Sequence, residues 1–138
     1  MTHNDEFIAE NRHRRVEEVA LEIAGRKDLD TDYVLRQIEG WQRMSHKVPQ
    51  WAATEGIIYP PRLALEQCSG QRAAAYKAET VERLLKPEER RIMADITAGM
   101  GVDFSCIAPL FERAVYVERK AEIVETARHN MPLLGIKN

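Results

Sequence analysis

The residues that most restrict how this chain can fold are Arg91–Asp103, RIMADITAGMGVD. A short apolar run, Ile92–Ile96, carries an acid at Asp95 and leads straight into a turn containing Gly99 and Gly101. Without Cβ atoms the backbone there can bend sharply and approach a ligand closely. The helix that follows points N–H groups without intrahelical partners into the same space. A second apolar run, Ala114–Glu118 (AVYVE), ends on an acid 118 − 95 = 23 residues beyond Asp95. That is near the roughly 20-residue offset of a ribose-binding acid in dinucleotide folds. Strand, glycine turn, helix, strand and helix open a doubly wound parallel sheet, with a cofactor pocket in outline.

The residues before this segment read as helical throughout. Ile8, Val16, Val19, Ala20 and Ile23 predict one helix from about Asp5 to Ala24, closed by Gly25. Thr31 is placed to cap a second helix bearing Val34, Ile38 and Trp41, which Pro49 ends. Gly40 inside it marks close packing against a neighbour. Trp51–Pro61 reads as irregular, Arg62–Cys68 as a short helix, and Ser69 as the cap of a longer helix through Lys86. Ala73, Ala74, Tyr76, Ala78, Val81, Leu84 and Leu85 form the expected apolar face of that helix. The fold class is therefore mainly α plus α/β: an all-helical domain over 1–88, then an incomplete parallel sheet over 89–138. In the second part Ile92–Ile96 has the composition of a strand buried on both faces. Asp103–Phe111 and Lys120 to about Gly135 are its helices. Two parallel strands leave two open edges and bury little surface. The expectation is thus the N-terminal part of a longer protein. Cover by the helical region, or by another copy in a homo-oligomer, is the alternative.

Composition narrows the function classes. A hydrophobic share of 44% with 30% charged residues is that of a soluble globular protein. No apolar run approaches the roughly 20 residues of a membrane helix, and MTHNDEFIAENRHRR lacks a secretory apolar region. Cys68 and Cys106 have neither CxxC spacing nor partnering histidines, which argues against zinc and for reduced thiols in a cytoplasmic protein. A net charge of −2 argues against a generally basic nucleic-acid-coating surface. The strip Arg12, His13, Arg14 and Arg15, with Arg43 and Lys47, is the local exception. Glu10, Glu17 and Glu18 make a solvated face its ordinary reading. Trp41 is expected in the core and Trp51 at an interface.

The sequence D-x-T-A-G-x-G-x-D at Asp95–Asp103 resembles the first motif of class I S-adenosylmethionine-dependent methyltransferases. It is most similar to the bacterial THUMP-like-domain branch, related to the 16S rRNA guanine-N2 methyltransferases, with Thr97 in place of the usual first glycine. Ala127, Asn130 and Gly135 in ARHNMPLLGI resemble the A-x-x-N-x-x-x-x-G helix end of many RNA methyltransferases. The stretch QIEGWQRMSHKVPQWAATEGIIYPPRLALEQCSGQRAAAYKA resembles the helical region of the same branch. The resemblance implies a Rossmann-like methyltransferase fold, S-adenosyl-L-methionine as cofactor and RNA as the substrate of the whole protein. It also implies methyl transfer to a nucleobase nitrogen, with no metal and no membrane. The family's acceptor-side D-P-P motif has no counterpart in this chain, so no catalytic residue is assigned.

The implied cofactor set is Asp95, Thr97, Gly99, Gly101, Asp103 and Glu118. Asp95 would orient the loop, the two glycines would admit the methionine end, and Glu118 would hold the ribose hydroxyls. Thr97 would meet the methionine carboxylate or only stabilise the turn. For Asp103 a helix N-cap is the commoner role. Gln67, Cys68, Ser69 and Gln71 lie where the helical region leads into the α/β part and are secondary candidates. Two alternatives stand beside this reading. One is a non-catalytic helical module binding RNA or a protein partner. The other is a fragment of an NAD-dependent dehydrogenase, against which Thr97-Ala98 counts.

Overall fold

The computed structural model describes residues 1–137. Six helices come first: α1 (His3–Asn11), α2 (Val16–Ile23), α3 (Thr31–Lys47), α4 (Pro49–Ala53), α5 (Arg62–Gln67) and α6 (Gln71–Leu84). A 3₁₀ turn at Pro87–Glu89 leads to β1 (Ile92–Asp95), α7 (Val102–Ile107), a second 3₁₀ turn at Ala108–Leu110, β2 (Arg113–Tyr116) and α8 (Ala121–Leu133). The fold is mainly α with a short α/β unit. Among the described residues no helix is long and apolar enough to cross a membrane.

The single helix expected over 5–24 is two. Asn11 is buried; its Nδ2 donates to the Phe7 carbonyl at 2.9 Å and its Oδ1 accepts from Arg14 at 2.8 Å. Gln42 Nε2 donates to the carbonyls of Arg12 (2.9 Å) and Arg14 (2.6 Å). Two carbonyls that a continuous helix would use internally are thus taken by a side chain of α3, and the chain turns. Val19 and Ile23 of α2 then meet Leu29, Val34 and Ile38 in a small core. The cap of α3 is Asp30, not Thr31: the Asp30 carboxylate accepts the Tyr33 N–H at 3.1 Å.

The larger core joins Met44, Val48, Trp51, Ile57, Tyr59 and Leu65 to Met100, Phe104, Ala127 and Met131. Trp51 is only 2% exposed because Pro49 opens α4 instead of starting an irregular stretch, and α4 turns the indole inward. Trp41 is the partly buried one, its indole N–H donating to the Ala52 carbonyl at 3.1 Å. Trp51 is therefore a core residue and not the interface residue expected, while Trp41 packs against the same core from its edge.

Between α4 and α5 a turn at 54–56 leads into an irregular segment, 57–61, that is held by two buried amides. Gln37 Nε2 donates to the Tyr59 carbonyl (3.0 Å) while its Oε1 accepts the Tyr59 N–H (2.7 Å). Asn130, fully buried in α8, does the same to Ile58, at 2.7 and 2.9 Å. His129 Nε2 lies 2.8 Å from the Gly56 carbonyl. Each amide supplies one donor and one acceptor, so a buried backbone that pairs with no strand is still satisfied. Tyr59 in turn packs on Gly40, where any Cβ would collide with the tyrosine's Cβ and Cγ.

β1 and β2 pair in parallel, with Ile92 opposite Arg113 and Asp95 opposite Tyr116. The strands are not buried on both faces. Met93, Ala114 and Tyr116 pack towards the larger core, whereas Ile92, Ile96, Val115 and Val117 lie on the exposed side. The core-forming residues of α7 and α8 cover one face only, which restores a period-2 pattern. In α6, Ala74 alone is buried, while Tyr76 and Leu84 are exposed. Its expected broad apolar face is a narrow seam packed on α7. α8 ends in a Schellman motif: Ile136 N–H reaches the Met131 carbonyl, Gly135 N–H reaches that of Pro132, and Gly135 takes φ +80°.

Two substitutions test this joint. Gly40→Ala would gain about 1 kcal/mol from helix propensity alone, but the collision with Tyr59 makes it destabilising by about 1–3 kcal/mol. Asn130→Leu leaves the Ile58 N–H and C=O buried and unpaired, at about 2–4 kcal/mol. Thermal melting should show a lower midpoint for both; a raised midpoint for Gly40→Ala would contradict the packing described.

Candidate functional site

The strand ladder runs one step beyond β1 and β2. Val117 N–H donates to the Asp95 carbonyl at 2.9 Å, and Ala98 N–H donates to the Val117 carbonyl at 3.1 Å. These bonds fix where the glycine turn leaves the sheet. The Asp95 carboxylate accepts the Thr97 N–H at 3.0 Å and lies 3.5 Å from the Thr97 hydroxyl. It closes an Asx turn, of the kind that short acidic side chains form with the backbone two residues on. Thr97 itself is exposed.

The two glycines do different things. Gly99 has φ +55°, and a Cβ built on it would meet nothing within 4 Å, so the space above it is open. Its N–H donates to Glu118 Oε2 at 3.1 Å, and its carbonyl accepts the Tyr116 hydroxyl. Gly101 has φ +95° and faces inward: a Cβ there would strike the Met131 Cε and lie 3.5 Å from Tyr116. Gly101 is required for the turn and for close packing, and Gly99 borders the free space.

Glu118 reaches back over the loop from just past β2. Its second oxygen accepts the Lys120 N–H at 3.0 Å. That bond foremost, with help from the one from Gly99, holds the carboxyl below its ordinary range although burial pulls the other way. Tyr116 is the ladder partner of Asp95 and donates its hydroxyl to the Gly99 carbonyl. Burial foremost, and then the charges of Glu118 and Asp95, raise its hydroxyl well above the usual tyrosine value. The structure thus ties Gly99 to Glu118 and to the Tyr116 hydroxyl, with Asp95 opposite Tyr116 in the ladder. From the sequence, sheet packing is the commoner reading of Tyr116 and an adenine contact the other; its hydroxyl bond to Gly99 depends on register, which has no local signature.

Asp103 is placed elsewhere. The N-cap of α7 is Gly101, without a side-chain bond, so Asp103 is not a cap. Its Oδ2 accepts from the Ser69 hydroxyl (3.0 Å) and the Lys77 ammonium (2.8 Å), and Lys77 also donates to Ser69 at 2.9 Å. Its Oδ1 is buried with no partner among the described residues. Ser69 is likewise no cap, since Gly70 holds that position in α6. The trio ties the helical region to the first turn after the glycine loop. Lys77 was invisible in the sequence, because 26 residues separate it from Asp103. Of the other secondary candidates, Gln71 accepts the Gln50 N–H at 2.9 Å, and Cys68 donates to the Leu65 carbonyl at 3.2 Å. Burial pushes both thiols, Cys68 and Cys106, above their ordinary range.

No protein-family model matches the chain. No curated protein sequence matches it either. A solved structure does: the crystal structure of a putative methyltransferase from Porphyromonas gingivalis W83, with a TM-score of 0.74 and 33% sequence identity over 95% of this chain. The match covers 31% of that protein, so the chain spans about a third of the structure it resembles. At this identity the likeness extends beyond shape and relates the chain to a methyltransferase.

Gly101→Ala combines a strained φ with a clash in the core and should cost about 2–4 kcal/mol. Gly99→Ala carries the backbone penalty alone, about 1 kcal/mol. Urea midpoints of the two variants should therefore separate clearly, and equal midpoints would show that both glycines face open space.

Proposed function

We propose that this chain supplies the cofactor half of an S-adenosylmethionine-dependent methyltransferase of the THUMP-like-domain branch, with the helical domain at 1–88 and the cofactor-binding part at 89–138. The observation that carries this reading is the open space over Gly99 beside Glu118, on a chain similar to the structure of a putative methyltransferase. The donor set suits the ligand. A carboxylate at the end of a strand can accept ribose hydroxyls as charge-assisted bonds, and a glycine without neighbours lets the ligand approach backbone. Glu118 would hold the ribose. Asp95 and Thr97 would shape the loop beside it, Gly99 would border the methionine end, and Gly101 would set the turn. Asp103 would act from outside the pocket, by anchoring the first turn of α7 to Ser69 and Lys77.

When bound, S-adenosylmethionine supplies an electrophilic methyl group. The residues of this chain bind and orient it; such alignment accounts for much of a transfer that needs little proton movement. The acceptor, a nucleobase nitrogen of RNA in a cytoplasmic enzyme, follows from the resemblance in the helical and Asn130 segments. Residues beyond this chain would hold it. A non-catalytic module is the second reading, and the bare apolar sheet face at Ile92, Ile96, Val115 and Val117 supports it, since that face suits a partner or a second copy.

Calorimetry with S-adenosylmethionine on this chain, and on a form extended downstream, separates the two. The extended form should bind, and Glu118→Ala should weaken binding about tenfold or more, the scale of one charge-assisted bond. Binding that survives both Glu118→Ala and Gly99→Val would place the ligand elsewhere, and no binding by the extended form would favour the module.

A further inference from the structure

A second cavity lies in the helical half, away from the glycine loop. It is a groove of about 870 Å³ between α1, α3 and the segment 54–59, large enough for a small ligand. Arg12, Tyr33, Trp41 and Tyr59 line it, with Asp5 and Asp30 at one end and Glu55 at the rim.

The basic strip noted in the sequence sorts itself out here. Arg14 pairs with Glu22 at 2.6 Å, and Arg15 lies 3.9 Å from Glu17. Arg12 alone of the three arginines turns to the groove, its guanidinium stacked 4.7 Å from the centre of the Trp41 ring. It makes no ion pair among the described residues, and its Nε is buried with no partner. Tyr59 is 4% exposed, yet its hydroxyl has no hydrogen bond among the described residues. Arg12 and Tyr59 line the same cavity, where burial raises the tyrosine hydroxyl to about 12 and the positive charge of Arg12 pulls the other way. One wall of the cavity thus carries a guanidinium without an ion pair and a hydroxyl without a hydrogen bond among the described residues. An oxyanion brought to them supplies what both lack.

The other end of the groove has the opposite character. Asp5 is spent on the Thr2 backbone and hydroxyl, and Asp30 on the Tyr33 N–H, but their charge remains beside the Tyr33 ring. From Asp5 to Arg12 is seven residues of α1, about 10 Å at the usual helical rise. A ligand that fits is anionic at one end, flat along its length and a hydrogen-bond donor at the other. We propose that this groove binds a nucleotide, free or within a single strand, with its phosphate at Arg12 and Tyr59 and its base along Tyr33 towards Asp5 and Asp30. The aromatic wall favours a ring over an aliphatic chain, and the acidic end favours a base with an exocyclic amine. The proposal does not rest on the methyl-donor reading, because no residue is shared with the glycine loop.

The test titrates cytidine 5′-monophosphate, cytidine, inorganic phosphate and a tetracytidylate into the full chain by calorimetry. The monophosphate should bind at least about tenfold more tightly than cytidine, the difference a charge-assisted contact makes. Arg12→Gln should weaken it about tenfold and Tyr59→Phe a few-fold. Glu118→Ala should leave it unchanged, which keeps this result separate from the cofactor titration. Tyr59→Phe retains the packing on Gly40, so it remains informative if Arg12→Gln loosens the corner with Trp41; melting curves check both. Tighter binding of the tetramer with the same Arg12 dependence identifies a strand as the source, and equal binding identifies the free nucleotide; either supports the proposal. Equal affinity for cytidine and its monophosphate, full affinity in Arg12→Gln, or no binding of monophosphate and tetramer would overturn it.

Discussion

Two buried side-chain amides determine how the rest of this molecule is arranged. Segment 57–61 runs between α3 and α8 as backbone that pairs with no strand, and an unpaired buried N–H or C=O there would cost about 1–3 kcal/mol each. Gln37 from α3 and Asn130 from α8 satisfy successive residues, Tyr59 and Ile58, with donor and acceptor both used. Because one amide belongs to the helical region and the other to the α/β unit, satisfying the segment also fixes the two regions against each other. Tyr59 can occupy its place only because residue 40 lacks a Cβ. The larger core, which mixes residues from before and after position 88, is the apolar consequence of the same joint.

The glycine loop depends on that joint indirectly. Its exit from the sheet is set by backbone bonds between the strand ends, and its tip is held by Tyr116 of β2 and by Glu118 just past it. Its far side is anchored by Asp103 to Ser69 and Lys77. That ion pair is partly exposed, so its direct energetic worth is small. Its value is positional, since it determines where α7 starts relative to α6.

Much of this was legible in the sequence wherever the pattern is local. The change from helical to strand periodicity near residue 90 is carried by Ile92–Ile96 and Ala114–Glu118, and the turn between them by Gly99 and Gly101. Gly40 also announced close packing, though not its partner. What could not be read depends on residues distant in the chain. The break after Asn11 needs Gln42, 28 residues beyond Arg14. Asp103 looked like a cap because Lys77 and Ser69 arrive from another helix. Trp51 joined the core because α4 forms where Pro49 suggested only an ending. Arg12 looked like one of a solvated strip until α1 and α3 enclosed it. Propensity identifies elements, but the partner that satisfies each polar group is a tertiary fact.

The long reach of Asn130 has a consequence for the order in which the molecule assembles during synthesis. The small core of Val19, Ile23, Leu29, Val34 and Ile38 lies within the first forty residues and can close as soon as they leave the ribosome. Ile58 must wait for a side chain 72 residues later. Until then its backbone has water as its partner, and segment 57–61 stays a hydrated strap between nascent helices. Closure of the joint is therefore a late, long-range event, and the pocket residues of both halves take up their final arrangement together rather than in chain order.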